Sequence, residues 1–508
     1  MPIRRAFLSA WDKTGVVEFA HELQSLGIEL LASDGTAQVL RTAGLSVQAV
    51  SELTGFPPIL DGRVKTLHPI LHAAILARRD LPHHIEQLRR LGVEPIDLVV
   101  VTFYPFEEMA RGTTSSTEVL EFIDIGGPAL VRAAAKNYPW VTVLVSPAQY
   151  GELVALLRER GDIPESVRRR YAAEAFVHTA VYDASIAKAL GAEDGTPVLW
   201  LQSSPLVQVL RYGENPHQRG WLFGSGYRRC FRQLHGKELS YNNVLDADAA
   251  VRVILEFEEP TVAILKHTMP CGVGGDADLT IAWEKALATD PVSPFGGIVV
   301  TNRPVTVELA ERLAGMFLEL VLAPAFPEEA LVVLQRRKNL RLLLYDPRAL
   351  RQWWSEDFRS VIGGVLVQTP DVALLPSEGW EVVTQREPTS EEAAALGFAW
   401  KVVKHVKSNA VVFASADRTL AIGGGQTSRL DAVRVAVRKA QEIGIPLAGS
   451  VVASDAFFPF PDALEEALAA GATAVIQPGG SVRDAEVIAA ADAHGATMVL
   501  TRMRHFRH

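Results

Sequence analysis

Apolar and polar positions alternate in blocks along the first third of the chain, and the blocks follow two different periods. Residues 16–27 and 37–44 carry apolar side chains at helical spacing. Short apolar runs lie around them, at 6–10, 28–33, 46–50, 96–104 and 141–146. The runs 96–104 and 141–146 are continuous, which is typical of strands buried on both faces. The pattern therefore predicts an α/β fold with a parallel sheet wrapped by helices, and ligands bound beyond the carboxyl ends of the strands.

A second region follows, because 508 residues exceed what one hydrophobic core holds. Around 191–205 the helical period disappears and Gly, Pro and Ser accumulate, so we predict two domains, 1–198 and 199–508. Beyond this boundary a helix at 431–444 stands among predicted strands at 261–265, 296–300, 409–413 and 472–476. Leu265-Lys266-His267 and Val403-Lys404-His405 echo each other, as two similar half-domains would, although chance explains so short an echo better.

The charge balance narrows the classes of partner. A net charge of −9 argues against nucleic acid and against anionic membranes, both of which need a basic face. No apolar run approaches the roughly 18 residues that span a bilayer. Asp12 and Lys13 interrupt the apolar start, so a cytoplasmic protein is expected. Cys230 and Cys271 form no paired motif, which argues against a disulfide framework and a cysteine zinc site, and we expect no transition metal.

Two turns rich in hydroxyl groups follow predicted strands, SAWDKTG at 9–15 and ASDGTA at 32–37. Each turn leads into a predicted helix, where free backbone N–H groups and hydroxyls suit a phosphate. Ser, Asp and Thr are also good N-caps, and capping alone would explain one such turn. Two such turns on neighbouring strands favour a phosphate site.

Two further segments carry charged side chains close together. GRVKTLHP contains Arg63 and Lys65, and a solvated basic loop would explain it equally well. In IDIGGPALVRAAAKN the Gly-Gly-Pro sequence opens a predicted helix, with the proline suited to its first turn. Asp124 precedes that helix and Lys136 lies near its end, so the two could form a structural ion pair or an acid–base couple.

Five motifs occur in one order: SxxDKTG, GRVKTLHP, FYPF, IDIGGPALVRAAAKN and RYGENPHQ. Together they resemble the bifunctional family that formylates aminoimidazole carboxamide ribonucleotide (AICAR) and closes the product, FAICAR, to inosine monophosphate (IMP). The resemblance covers nearly the whole chain. It implies a cyclohydrolase domain with a methylglyoxal-synthase-like fold and a transformylase domain with two cytidine-deaminase-like α/β halves.

The same resemblance implies the small molecules and the assembly. 10-Formyltetrahydrofolate would be the co-substrate, and AICAR, FAICAR and IMP the other ligands. The family also implies a homodimer whose transformylase site is shared between two chains. Whether a monovalent cation binds stays open.

The resemblance assigns roles to residues in the first domain. The groups implied around the nucleotide are Ser9, Lys13, Thr14, Ser33, Thr36, Arg63 and Thr66. The implied catalytic residues are Lys65, Tyr104, Asp124 and Lys136. Ring closure joins a weakly nucleophilic amide nitrogen to a formyl carbon, so donors to the formyl oxygen are needed.

The second domain carries its own set. The resemblance implies the catalytic pair Lys266 and His267, with the ribonucleotide held by Arg211, Tyr212, Asn243, Asn409, Arg429 and His508. In SDAFFPFPD it assigns Pro459, Phe460 and Asp462 to the folate. Without the resemblance, plainer explanations apply. A polar turn would explain Arg211 and Tyr212, an N-cap Asn243, and a structural pair Lys266 and His267. A core loop would explain the phenylalanines, and a frayed terminus His508.

The chain departs from the family pattern at several positions. Asp34 stands where the family usually has glycine; an Asp tolerates a left-handed backbone, but its charge would repel a phosphate unless turned away. Met269 stands where Asn is usual, and Trp11, Gly424 and Arg502 are also uncommon.

Three other interpretations remain at this point. A zinc nucleotide deaminase would need the paired cysteines that this chain lacks. A nucleotide sensor on the same folds would keep Ser9, Thr36 and Arg429. It could dispense with Lys65, Lys136 and His267, all three of which are present. Loss of one of the two activities is not excluded by the sequence.

Overall fold

The computed structural model describes residues 2–104, 106, 116–191, 200, 204, 206–224, 226–354, 356–373 and 379–508. The chain divides into two compact units, Met1–Ser203 and Ser204–His508, called unit 1 and unit 2 below. Most of the predicted boundary stretch, 192–199, 201–203 and 205, lies outside the described residues. The domain limits 1–198 and 199–508 stay a prediction.

Unit 1 is built on one sheet whose strands are all parallel, in the order β3-β2-β1-β4-β5. The strands are β1 (Arg5–Ala10), β2 (Glu29–Ala32), β3 (Val47–Ala49), β4 (Leu98–Thr102) and β5 (Thr142–Leu144). Every residue of β4 and β5 is buried, because helices cover both faces of the sheet. The parallel α/β fold and the strands predicted from the apolar runs are confirmed.

Three helices of unit 1 begin where the hydroxyl-rich and glycine-rich turns predict. They are α1 (Val16–Ser25), α2 (Asp34–Thr42), α3 (Val50–Thr54), α4 (Pro69–Leu76), α5 (Pro82–Arg90), α6 (Ser116–Glu121), α7 (Gly126–Lys136), α8 (Tyr150–Arg160) and α9 (Glu165–Ala189). The turns SAWDKTG and ASDGTA lead into α1 and α2, and the Gly-Gly-Pro sequence opens α7, as predicted.

Unit 2 contains two six-stranded sheets and two separate two-stranded hairpins. Its strands are β6 (Leu206–Leu210), β7 (Gly220–Phe223), β8 (Phe231–His235), β9 (Thr261–Lys266), β10 (Met269–Gly275), β11 (Ile298–Thr301), β12 (Leu320–Ala323), β13 (Arg341–Tyr345), β14 (Asp357–Val361), β15 (Gly364–Gln368), β16 (Glu381–Val382), β17 (Val411–Ala414), β18 (Thr419–Gly423), β19 (Ser450–Ser454), β20 (Ala472–Gln477) and β21 (Thr497–Leu500). β6–β7 and β14–β15 form the hairpins.

The helices of unit 2 connect these strands. They are α10 (Tyr227–Cys230), α11 (Tyr241–Ile254), α12 (Leu279–Thr289), α13 (Val307–Ala314), α14 (Glu328–Gln335), α15 (Pro347–Trp353), α16 (Ser390–Val403), α17 (Arg429–Ile443), α18 (Pro461–Ala469) and α19 (Asp484–Ala493).

The two large sheets of unit 2 have the same topology. The first runs β10-β9-β11-β12-β13-β8, and the second, read from its β18 edge, runs β18-β17-β19-β20-β21-β16. In both, an antiparallel hairpin is followed by a third antiparallel strand, two parallel strands and an antiparallel edge. The expectation of two similar α/β halves is confirmed.

One hydrophobic core joins the halves. Helices α11 and α16 lie between the two sheets, and their apolar residues pack with inward-facing residues of both. α12, α13 and α14 cover the outer face of the first sheet, and α17, α18 and α19 that of the second. At the seam, Thr419 in β18 accepts a hydrogen bond from the Val273 N–H of β10 at 2.9 Å.

The Lys-His echo does not mark equivalent positions. Lys266 ends β9 and His267 follows it, whereas Lys404 and His405 follow α16 and precede β17. Both members of the second pair are buried against Glu256, at 2.8 and 3.0 Å. Chance is therefore the right explanation of the echo, and the repeat lies in the topology instead.

Candidate active sites

The carboxyl ends of three neighbouring strands meet at one edge of the unit 1 sheet. β1 lies between β2 and β4, with Leu8 opposite Ala32 and Ala10 opposite Thr102. The segments that follow these strands therefore emerge side by side. Of the predicted residues of the first domain, they contain Lys13, Thr14, Ser33, Thr36 and Tyr104.

Thr36, in the first turn of α2, is the centre of a polar cluster at this edge. Its Oγ1 accepts the Ala10 N–H at 3.2 Å and a hydrogen bond from Lys13 Nζ at 3.0 Å. The Ser33 hydroxyl lies 3.2 Å away, and both hydroxyl residues are buried. The cluster joins the two hydroxyl-rich turns, as the phosphate hypothesis requires. Ser9 lies near the end of β1 and Thr14 in the β1–α1 connection, where the Thr14 N–H donates to Asp12 Oδ1 at 2.9 Å.

Lys13 and Lys65 lie near each other. Burial lowers the pKa of Lys13, and the positive charge of Lys65 lowers it further. Lys65 itself is exposed, and Arg63 beside it forms an exposed ion pair with Glu121. The GRVKTLHP segment is thus partly solvated, yet the charge of its lysine acts on Lys13 in the cluster at the strand ends.

Asp34 does not behave as its departure from the family pattern suggested. It is the first residue of α2 and has an ordinary helical backbone, so no left-handed conformation is involved. Its Oδ1 accepts the hydroxyl of Ser51 on α3. The Ser51 hydroxyl therefore holds this carboxylate against α3.

Two glycines let two motifs approach each other. A β-carbon at Gly126 would lie 2.4 Å from Thr66 Oγ1, and one at Gly127 would lie 2.4 Å from Asp124 Oδ2. Thr66, from the GRVKTLHP segment, is buried there. Asp124 Oδ1 accepts the Gly127 N–H at 2.9 Å and so helps to cap α7. The glycines are needed because both polar side chains occupy the space that a β-carbon would fill.

Tyr182 on α9 holds the Asp124 segment in place, and sequence reasoning missed it. Its hydroxyl accepts the Asp124 N–H at 2.7 Å and donates to the Phe122 carbonyl at 3.2 Å. Burial raises the pKa of Tyr182, so the phenol stays protonated and keeps both bonds. No local pattern could have indicated it, because Tyr182 lies in a long helix far from any motif.

Asp124 and Lys136 do not meet within one chain. α7 runs from Gly126 to Lys136, and at a rise of about 1.5 Å per residue it separates the two residues by about 15 Å. Lys136 and Arg132 instead face a cavity of about 640 Å³ between α4, α7 and α9. The two basic residues thus share one face of the helix, and an Asp124–Lys136 couple is not formed in this chain.

Tyr104 lies beside a residue unusual for the family. Its ring centroid is 5.9 Å from that of Trp11, which is 45% exposed. Trp11 and Tyr104 follow the neighbouring strands β1 and β4, which explains the contact. Trp11 thus adds an apolar wall beside the phenol.

A first group of predicted residues in unit 2 gathers around the start of α11. Asn243 forms a capping box with Ser240, accepting the Ser240 N–H at 3.1 Å. Asn242 Nδ2 donates to the Glu214 carbonyl at 3.3 Å, so the RYGENPHQ loop lies beside this helix start. In that loop the Arg211 guanidinium lies 5.3 Å from the centre of the Tyr212 ring. Asn243 therefore helps to cap α11, and it also belongs to the group of predicted residues at the start of this helix.

His267 stands at the tip of the β9–β10 hairpin. His267 and Thr268 both have positive φ, 54° and 64°, as a two-residue hairpin turn requires. Asp246 on α11 accepts the Thr268 N–H at 2.7 Å and fixes the turn. Burial raises the pKa of Asp246, which Thr268 and His267 partly offset. Sequence reasoning missed Asp246. The neighbouring Lys266 is also held, since its Nζ donates to the Phe295 carbonyl at 2.8 Å.

A second group forms around Arg429, whose side chain is only 4% exposed. Its Nη2 donates to Asn409 Oδ1 at 2.8 Å, and its Nη1 pairs with Asp455 and with Ser454 Oγ at 2.7 Å. Asn409 Nδ2 donates to the Gln426 carbonyl at 2.9 Å. Arg429 therefore lies beneath Asn409, where the sequence predicted a group exposed to the ribonucleotide.

The predicted folate segment is partly core and partly surface. Phe458 is fully buried, whereas Phe460 is 48% exposed with the Arg483 guanidinium 4.9 Å from its ring centre. Pro459 lies between them, and Asp462 is exposed in the first turn of α18. The core-loop explanation thus applies to Phe458 alone.

The closing tail is held rather than frayed. The Ser408 N–H donates to the Arg507 carbonyl at 2.9 Å, and the Arg507 N–H donates to Ser408 Oγ at 3.1 Å. Arg359 donates to the His508 carbonyl at 2.7 Å. The end of the chain therefore lies next to Asn409.

Two of the unusual residues are neighbours. A β-carbon at Gly424 would lie 3.7 Å from Met269 Sδ and 2.3 Å from Val406 Cγ1, so a larger residue would be crowded there. Met269 begins β10 and Gly424 follows β18, so the contact links the two groups of unit 2. Arg502 pairs with Glu381 at 2.6 Å, away from these groups.

Cysteine and metal chemistry have little support in the described part of the chain. Both cysteines are free thiols, and burial raises the pKa of Cys271 to about 12. No cluster of three metal-ligating side chains occurs among the described residues. None of the described helices has the length and hydropathy that a membrane crossing requires.

Comparison with known proteins identifies the class. A family model described as an MGS-like domain matches residues 15–129, and one described as AICARFT/IMPCHase bienzyme matches residues 134–439. The fold and its two sets of polar groups thus define a two-site α/β enzyme. The chain belongs to the AICARFT/IMPCHase bienzyme family and is a bifunctional transformylase and cyclohydrolase of purine biosynthesis.

Full-length relatives agree with this membership. Each is named bifunctional purine biosynthesis protein PurH. The protein from Chloroflexus aurantiacus is 58% identical over 99% of this chain and 98% of its own length. Those from Myxococcus xanthus and Bacillus mycoides are 52% and 48% identical, each over 99% of this chain and 100% of its own length.

The lowered pKa of Lys13 predicts a pH dependence for unit 1. Because burial and Lys65 disfavour the charged form, Lys13 loses its proton at a lower pH than an ordinary lysine, and its attraction for a phosphate is lost as pH rises through that pKa. We expect the KM for FAICAR in cyclisation to rise with pH already below the range in which an ordinary lysine loses its proton. Lys13→Arg, which stays charged, should reduce that rise in KM. The control Lys338→Arg, at an exposed position of unit 2, should leave it unchanged. Identical pH profiles of KM for the parent and both variants would contradict the role of Lys13.

Tyr182→Phe should slow cyclisation without affecting formyl transfer. The change leaves the Asp124 N–H without its acceptor, and we expect kcat for FAICAR closure to fall about tenfold, which corresponds to about 1.4 kcal/mol. Tyr171→Phe on the same helix is a matched control, since that hydroxyl donates to Glu152 at 2.8 Å instead. Equal cyclisation rates for the two variants would show that the Tyr182 contact has no catalytic effect.

Proposed function

We propose that this chain catalyses the last two steps of IMP synthesis. The formyl group of 10-formyltetrahydrofolate passes to the amine of AICAR, giving FAICAR and tetrahydrofolate. FAICAR then closes to IMP with loss of water. The observation that carries the proposal is that each unit assembles its own set of polar groups suited to one of these reactions, around Thr36 in unit 1 and around His267 and Asn409 in unit 2.

Unit 1 is the proposed cyclohydrolase. The nucleotide phosphate would bind at the strand ends, where Lys13 offers a charge and Thr36 a hydroxyl. The full set of proposed nucleotide contacts in unit 1 is Ser9, Lys13, Thr14, Ser33, Thr36, Arg63 and Thr66. The position of Lys65 near Lys13 supports this, because it brings a second cation to the same edge.

Ring closure needs orientation more than a strong acid or base. The carboxamide nitrogen attacks the formyl carbon, and negative charge develops on the formyl oxygen. Lys65 and Tyr104 are the proposed donors to that oxygen. Asp124, held by Tyr182, would accept the proton that the nitrogen loses. Lys136 stays in the proposed catalytic set through the family resemblance alone, because the length of α7 separates it from Asp124.

Unit 2 is the proposed transformylase. His267, presented at the hairpin tip, would take the proton of the AICAR amine or bond its carboxamide, and Lys266 would stabilise the oxyanion or protonate the departing folate nitrogen. The proposed ribonucleotide contacts are Arg211, Tyr212, Asn243, Asn409, Arg429 and His508, with Arg429 acting through Asn409. The proposed folate contacts are Pro459, Phe460 and Asp462, of which Phe460 offers an exposed ring for the pterin.

The direct test supplies AICAR and 10-formyltetrahydrofolate to the purified protein. Tetrahydrofolate is followed by absorbance and IMP by chromatography, and both should rise together. Formation of tetrahydrofolate with accumulation of FAICAR would show that the cyclohydrolase is impaired. If neither product forms, FAICAR supplied directly separates a lone cyclohydrolase from a binding protein.

Two substitutions should separate the activities. We expect Lys65→Ala to abolish cyclisation of supplied FAICAR but keep formyl transfer, since it removes a donor to the oxyanion in unit 1. His267→Ala should do the reverse. Full cyclisation by Lys65→Ala would exclude its assigned role.

A homodimer that shares its transformylase site is also proposed. The support is the family resemblance together with apolar side chains left exposed on the β14–β15 hairpin, such as Phe358 and Leu366. Co-expressed His267→Ala and Asn409→Ala chains should regain about a quarter of the parent activity, because half of the dimers are mixed and each has one intact site. Co-expressed chains that stay as inactive as either variant alone would show that both residues act within one chain.

A further inference from the structure

One buried carboxylate, that of Asp455, connects three segments of unit 2. Asp455 follows β19 directly, and 0% of its side chain is exposed. Its Oδ1 accepts the Ala410 N–H at 3.1 Å and a hydrogen bond from Arg429 Nη1, and its Oδ2 accepts the hydroxyl of Ser408. Its backbone carbonyl accepts the His505 N–H at 3.1 Å.

These contacts surround Asn409. Ser408 and Ala410 flank it in the chain, and Arg429 donates to its Oδ1 at 2.8 Å. Its Nδ2 donates to the Gln426 carbonyl at 2.9 Å, so both ends of the carboxamide are oriented. A carboxamide has two donor hydrogens and two acceptor lone pairs, so Asn409 keeps one of each for a ligand.

The same carboxylate anchors the end of the chain. Ser408, bonded to Asp455, makes two hydrogen bonds with the Arg507 backbone: its N–H donates to the Arg507 carbonyl at 2.9 Å, and its Oγ accepts the Arg507 N–H at 3.1 Å. The His505 ring is buried, and its Nδ1 lies 2.7 Å from Asp371 Oδ2. His508 comes directly after Arg507, so its position depends on this anchoring.

Charge makes Asp455 hard to replace. One carboxylate accepts three donors, and its charge offsets that of the buried Arg429 guanidinium. An amide of the same shape would lose the negative charge and one acceptor atom. Arg429 would then be a buried cation without its counter-ion, and water or ligand groups would draw it out of place.

We propose that Asp455 is a positioning residue for formyl transfer. It contacts no substrate, and it acts by holding Asn409, Arg429 and the carboxyl-terminal tail in the arrangement that receives the ribonucleotide. The inference rests on the proposed transformylase function of unit 2, and it assigns a role to a residue that lies outside the proposed substrate and folate contacts.

Asp455→Asn tests the proposal in the full-length protein. We expect the KM for AICAR in formyl transfer to rise at least tenfold, because the Asn409 carboxamide loses its fixed orientation. Cyclisation of supplied FAICAR in unit 1 should keep its parent kcat and KM, which provides a control within the same molecule. Ser408→Ala keeps the ion pair but loses one link to Asp455, and it should raise the same KM about threefold.

A matched variant separates positioning from simple loss of stability. Glu392 is also a part-buried carboxylate of unit 2 with an arginine partner, Arg386 at 2.8 Å, and it lies at the start of α16. Glu392→Gln should lower the thermal unfolding midpoint but leave the KM for AICAR within twofold of the parent. If Asp455→Asn lowers the midpoint and leaves that KM unchanged, Asp455 is only structural and the proposal is wrong.

Two further outcomes have definite meanings. If Asp455→Asn does not fold, Ser408→Ala decides: an unchanged KM for AICAR overturns the proposal, and a rise supports it. If the parent protein itself transfers no formyl group, the proposed function of unit 2 fails, which is distinct from failure of the positioning role.

Discussion

The interior positions of a strand buried on both faces hold apolar side chains, and this constraint decides where the chemistry of the chain lies. Every residue of β4 is buried, as is β9 up to Leu265. Polar groups therefore appear where strands end: Thr36 shortly after β2, Lys266 at the last position of β9, and Asp455 directly after β19. Since an unpaired buried polar group is costly, each of these groups is hydrogen-bonded.

The two units satisfy this constraint differently. In unit 1 the cluster consists of Ser33, Thr36 and the part-buried Lys13, and the charge of Lys65 stays exposed. In unit 2 a complete ion pair, Arg429 with Asp455, is buried beneath Asn409. Removing one partner of such a pair generally costs about 3–5 kcal/mol, because a charge is left uncompensated. The arrangement of polar groups around Asn409 in unit 2 thus depends on a buried ion pair.

Close approach of a helix to a strand is the other requirement that recurs in the fold. A β-carbon at Gly423 would lie 1.9 Å from the Ala432 carbonyl of α17, and one at Gly272 would lie 2.0 Å from the Ala286 carbonyl of α12. These glycines occupy the edge hairpins of the two equivalent halves, where a helix crosses the strand closely. The two halves of unit 2 thus share the same close packing of a helix on their edge hairpins, whereas the two Lys-His pairs in the sequence lie at unrelated positions.

The sequence by itself determined the parallel sheet, the starts of α1, α2 and α7, and the meeting of the two hydroxyl-rich turns that carry Lys13 and Thr36, because these depend on local periodicity and on short motifs. Tertiary structure decided the rest. Tyr182, Asp246 and Asp455 act across long separations in the chain, so no spacing indicates them. The length of α7 separates Lys136 from Asp124, and the Ser51 hydroxyl turns Asp34 away. Which polar groups meet is set by how helices and strands pack, since burial forces each group to find a partner wherever the fold brings one within reach.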